Sequence, residues 1–112
     1  HKNVSKVIYP KNTDKNKKYF SKKLYGNLIG FHIDKGYEAC KAFIDNLKLF
    51  YHVANIGDVR SLAIHPSSTT HSQLSKEDQE KAGVFDNYIR LSIGIEHIDD
   101  ILNDLDNALS SI

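Results

Sequence analysis

Polar and apolar residues alternate with a period of two in several stretches of this chain and recur every three to four residues in others. Lys6 to Tyr9 reads Lys-Val-Ile-Tyr and stops at Pro10, which cannot donate to a ladder, so a short strand is expected there. From Asn27 to Asp34, Leu28, Gly30 and His32 share one parity and Ile29, Phe31 and Ile33 the other, a second strand pattern. Ser61 to His65 predicts a third, with Leu62 and Ile64 on one face and Ser61, Ala63 and His65 on the other, closed by Pro66. Tyr88 to Ile95 is the clearest. Ile89, Leu91, Ile93 and Ile95 point one way, and Tyr88, Arg90, Ser92 and Gly94 the other.

Helical spacing fills the intervals. Cys40, Phe43, Ile44, Leu47 and Tyr51 form one apolar stripe that runs on toward Gly57. Ser75-Lys76-Glu77-Asp78 has the capping-box pattern that opens a short helix, and Gly83 supplies its stop. Ile98, Ile101, Leu102, Leu105, Leu109 and Ile112 make a last amphipathic helix, with Asp99 and Asp100 placed to oppose its dipole. Lys11 to Lys23 reads as a lysine-rich loop running into a short helix on which Phe20 and Leu24 share a stripe. The expected architecture is a single α+β domain, with an antiparallel sheet of about four strands covered by helices on one face. The opposite sheet face would then be small and polar, carrying Ser61, Ala63, Arg90, Ser92 and Gly94.

Composition narrows the classes. A chain of 112 residues, 40% hydrophobic and 26% charged, is globular, and its net charge of +1 argues for neither nucleic acid nor membrane. One cysteine excludes an internal disulfide framework and fits a reducing cytoplasm. No apolar run approaches the ~20 residues that span a bilayer. The start at His1, without a methionine, fits a boundary inside a longer polypeptide.

Arg90 is the foremost candidate for chemistry. It interrupts a run of isoleucines and leucines yet points away from them. A guanidinium fixed on a strand can grip a carboxylate bidentately, and a surface arginine on a solvated sheet would have the same pattern. Ser61 and Thr70 offer hydroxyls that could support the same anion. His65 and His71 lack helical ligand spacing and an obvious third partner, so no metal site is expected. The stretch between them lacks a nucleophile-elbow sequence. Lys11, Lys15, Lys17, Lys18, Lys22 and Lys23, interleaved with Tyr19, Phe20 and Tyr25, could attract a phosphate backbone or form an ordinary solvated face. Cys40 falls on an apolar stripe and reads as a packing residue.

Two long blocks carry a resemblance. Gly57-Asp58-Val59-Arg60-Ser61-Leu62-Ala63-Ile64-His65-Pro66-Ser67-Ser68-Thr69-Thr70-His71-Ser72-Gln73-Leu74 resembles a segment near the end of O-acetylhomoserine sulfhydrylases. Tyr88-Ile89-Arg90-Leu91-Ser92-Ile93-Gly94-Ile95-Glu96 resembles the closing strand of the Cys/Met-metabolism family of pyridoxal-phosphate enzymes, and the Asp-rich helix after it matches too. The resemblance implies the small carboxyl-terminal domain of an aminotransferase-like fold. It implies a parent enzyme, assembled as a homotetramer, that replaces the γ-substituent of O-acetylhomoserine with sulfide. A cystathionine γ-synthase or methionine γ-lyase would be the neighbouring reading, and a lysine-rich nucleic-acid module one from another class. It also implies that the arginine at Arg90 binds the substrate carboxylate while Ser61 and Thr70 border the pocket. The family's cofactor lysine and phosphate-binding turn belong to the large domain, so pyridoxal phosphate is expected to be held outside these residues, with no catalytic residue here.

Overall fold

The structure, a computed structural model, describes residues 1–12, 15, 18–20 and 24–112. Four strands form one antiparallel sheet: β1 (Val4–Ile8), β2 (Leu28–Ile33), β3 (Leu62–Ile64) and β4 (Tyr88–Ser92), in the order β1-β2-β4-β3. The two strands with the cleanest alternation, β2 and β4, are the central ones. Among the described residues three α-helices accompany them: α1 (Gly36–Asn46), α2 (Lys76–Lys81) and α3 (Ile98–Ser110), with 3-10 turns at Pro10–Asn12 and Pro66–Ser68. Among the described residues no helix is long and apolar enough to cross a membrane.

The core lies between one sheet face and the helices. Phe31 and Ile33 of β2, Ala63 of β3 and Ile89 and Leu91 of β4 meet Cys40, Phe43 and Ile44 of α1 and Ile101, Ala108 and Leu109 of α3. Phe31 and Phe43 pack edge to face at 5.6 Å, the geometry that aromatic quadrupoles favour. Cys40 is fully buried, and burial, helped by the charge of Asp86, pushes its thiol up to about 12, so it packs as the stripe predicts. Both ends of α2 follow their signals. The Ser75 hydroxyl accepts the Asp78 amide at the start of α2, and Gly83 ends it at φ +75°, a conformation glycine adopts without strain.

Three expectations need correction. The stripe through Leu47 and Tyr51 does not continue as helix: α1 stops at Asn46, and Leu47 is extended. The cause lies in α3, where the buried Asp104 carboxylate accepts the amides of Lys48, Leu49 and Phe50 and draws the chain straight. Tyr51 instead bridges to Leu62 in parallel at the free edge of β3. Second, Ala63 pairs with Leu91 and lies in the core, whereas Leu62 and Ile64, equally buried, share the parity of Ser92 and Arg90. The far sheet face is therefore partly apolar. Third, β4 ends at Ser92, and Ile95, placed on the apolar face by parity, is 83% exposed. The expected helix in the lysine run lies largely outside the described residues.

Candidate functional site: an open arginine on the central strand

Arg90 stands mid-way along β4, level with Gly30 of β2 on one side and Ile64 of β3 on the other. Side chains alternate across a strand, so Arg90 turns away from Ile89 and Leu91, which the helices bury. Its Nη2 donates to the Asn55 carbonyl at 3.5 Å, a long contact. Among the described residues no carboxylate pairs with it. The Asn55–Gly57 segment bends over this face, turning at Gly57 (φ +78°) and resting its amide on Ser92 Oγ at 3.4 Å. Among the described residues the result is a half-exposed cation with one weak acceptor, whose remaining donors can take an anionic ligand.

Ser61, just before β3, serves another contact. Extending the β3–β4 register puts it on the parity of Ala63, not of Arg90. This corrects the placement of Ser61 beside Arg90 on one polar face. It is fully buried; its amide and hydroxyl donate to Glu96 at 2.6 and 2.8 Å, and its oxygen accepts the Gly94 amide at 2.9 Å. A Cβ on Gly94 would overlap the Val59 carbonyl oxygen, so only glycine permits this close approach. Burial pushes the Glu96 carboxyl up, but donation from the Ser61 amide, its own amide and the Ser61 hydroxyl wins and holds it below the ordinary carboxylate range.

Thr70 sits on an exposed turn with Oγ1 2.8 Å from His71 Nδ1, and no hydrogen bond among the described residues joins it to Arg90 or Ser61. The stretch before it is far better anchored than a polar loop need be. Buried His65 touches Ser68 Oγ and the Asp86 carbonyl through its two ring nitrogens, each at 2.9 Å. Ser67 donates toward Gln79 and Asp86, and Gln79 returns its amide to the Ser67 and His71 carbonyls. Desolvation keeps the His65 ring below its usual pKa and so neutral. Asp86 is held low by Lys76 first and Ser67 second. The Asn55 carbonyl, Gly94, Glu96, Gln79 and Asp86 carry no local signal of these roles, because each finds its partner far away in sequence.

Arg90 is thus presented on a short antiparallel sheet over a helix-backed core. The model of the family described as Cys/Met metabolism PLP-dependent enzyme matches residues 1–110, and the chain belongs to that family. Among its relatives, the O-acetyl-L-homoserine sulfhydrylase of Leptospira meyeri is 52% identical over 100% of this chain and 26% of its own length. That of Thermus thermophilus is 53% identical over 87% of this chain and 23% of its own length. The L-methionine gamma-lyase of Fusobacterium nucleatum is 39% identical over the whole chain. In three dimensions the chain superposes on an O-acetylhomoserine (thiol)-lyase of Campylobacter jejuni, containing a pyridoxyl-lysine phosphate, with a TM-score of 0.91. The two are 43% identical, and the match covers 98% of this chain and 27% of that one. The chain thus spans about a quarter of the length of the relatives it matches.

Those dimensions bear on where pyridoxal phosphate would be held. A lysine that forms an imine needs surroundings that keep its amine neutral, and every described lysine is exposed. Among the described residues no lysine has the buried surroundings that would hold pyridoxal phosphate as an imine.

Proposed function

We propose that this chain is the carboxyl-terminal, carboxylate-binding domain of an O-acetylhomoserine sulfhydrylase. The parent exchanges the acetate of O-acetylhomoserine for sulfide and so forms homocysteine. Pyridoxal phosphate, bound by the rest of the parent, supplies an electron sink for negative charge beside the substrate amine. This chain contributes binding and orientation. Arg90, held on a stiff strand, grips the α-carboxylate and fixes the attached carbon in one attitude, a proximity contribution to rate. Thr70 borders the same pocket, while Ser61, buried with its hydroxyl engaged by Glu96 and Gly94, supports that wall from behind.

The observation that carries the reading is the open guanidinium of Arg90 among uncharged neighbours, and the 52% and 53% identities to sulfhydrylases favour the substrate. The 39% identity to a methionine gamma-lyase supports a second reading, elimination instead of replacement. Supplying the full-length protein with O-acetylhomoserine and sulfide separates them. The sulfhydrylase reading expects homocysteine and acetate to form in equal amounts; 2-oxobutanoate and ammonia as main products with sulfide present would establish the lyase.

A further inference from the structure

Gly30, directly opposite Arg90 on β2, has no side chain to offer as a cross-strand neighbour. Paired positions in an antiparallel sheet bring Cβ atoms to within about 5 Å. Tyr88 takes that place: a Cβ on Gly30 would overlap the phenol oxygen and lie 2.8 Å from Cζ. The tyrosine lies two residues before Arg90 on the same parity, and its ring leans over the glycine that faces Arg90 across the strands. Behind the ring stands His32, its centroid 5.4 Å away and its Nδ1 held at 2.9 Å by Asn87 Oδ1. Burial raises the Tyr88 phenol, and the charge of Arg90 opposes that rise. On the other flank of Arg90 stands buried Ile64.

We propose that Tyr88, seated in the notch left by Gly30, is a positioning residue for Arg90. Its ring walls the arginine's stem on the β2 side as Ile64 does on the β3 side, and so fixes where the carboxylate is gripped. This inference rests on Arg90 being the carboxylate clamp.

Steady-state kinetics of the full-length protein with O-acetylhomoserine test it. Gly30→Ala must push the ring aside and is expected to raise KM about tenfold while kcat changes less than about twofold. Tyr88→Leu, which removes the wall, is expected to raise KM severalfold, whereas Tyr88→Phe keeps the ring and stays within about twofold of the parent. Gly30→Ala added to Tyr88→Leu should have no further effect, since no ring remains to displace. Thermal unfolding run alongside separates a merely structural role, which lowers the melting temperature and leaves KM alone; should Gly30→Ala not fold, the Tyr88 pair decides. Arg90→Lys keeps the two failures apart. If it raises KM while Gly30→Ala and Tyr88→Leu do not, the positioning role is overturned and the clamp stands; if it leaves KM unchanged, both fall.

Discussion

The two arginines of this chain show how the same group becomes structural in one region and available in another. Arg60 follows Asp58 by two residues, and that carboxylate takes its Nε and Nη2 at 3.3 Å while the guanidinium lies 4.6 Å from the centre of the Tyr51 ring. Its charge is answered within its own loop, and Asp58 is held below the ordinary carboxylate range in return. Arg90 sits on a strand whose neighbours on that face are Gly30, Ile64, Tyr88 and Ser92, none of them acidic. Among the described residues no counter-charge meets this partly buried cation, which is costly unless a ligand supplies one. One segment shapes both regions: the extended run after Phe50 carries the Asn55 carbonyl to Arg90 and the Tyr51 ring to Arg60.

The comparison can be broken most sharply by removing each cation in the full-length protein. Arg90→Ala is expected to raise KM for O-acetylhomoserine about a hundredfold, the loss of a charge-assisted paired contact. Arg60→Ala should stay within about threefold, because an exposed ion pair is worth little. Equal effects in steady-state assays would erase the distinction. Next in size is the clamp that draws the shared segment out. Asp104→Ala strands three amides and should cost about 3 kcal/mol of stability in denaturant unfolding. An unchanged midpoint would detach Asp104 from that role.

Acid offers a milder probe. His65, Asp86 and Glu96 all have pKa values lowered by the fold, so each contributes stability above its unfolded value that fades as pH falls through its folded one. Loss should begin as pH falls through the usual histidine range, through His65, and deepen as it falls through the carboxylate range, through Asp86 and Glu96. Melting temperatures across pH should show both stages; Glu96→Gln should weaken the second, and a pH profile identical to the parent's would contradict it. Smallest of all, Thr70→Ala should alter KM by less than about threefold, since it loses one exposed hydroxyl contact. A larger rise would make Thr70 a direct ligand.

Much of this frame was legible from periodicity. β2, α3 and the first five residues of the β4 pattern fall where alternation and helical spacing place them, because long two-sided patterns report burial directly. The outward turn of Arg90 followed from the same alternation. β3 misled because it is three residues long and buried on both faces, so alternation cannot tell Ala63 from Leu62 and Ile64. The end of α1 was hidden in Asp104, more than fifty residues away along the chain. The Ser61–Glu96 link and the anchoring of His65 by Asp86 likewise cross long sequence gaps, and a hydroxyl in a sequence does not show which partner will claim it.

The central claim concerns one guanidinium and one carboxylate, and removing each alone and then both tests it directly. Binding of O-acetylhomoserine and of its carboxamide analogue should be measured on the full-length protein and on its Arg90→Gln variant. If Arg90 grips the carboxylate, the parent strongly prefers the acid, and Arg90→Gln binds the two alike. A preference that survives the substitution undiminished would place the carboxylate's partner elsewhere and contradict this account.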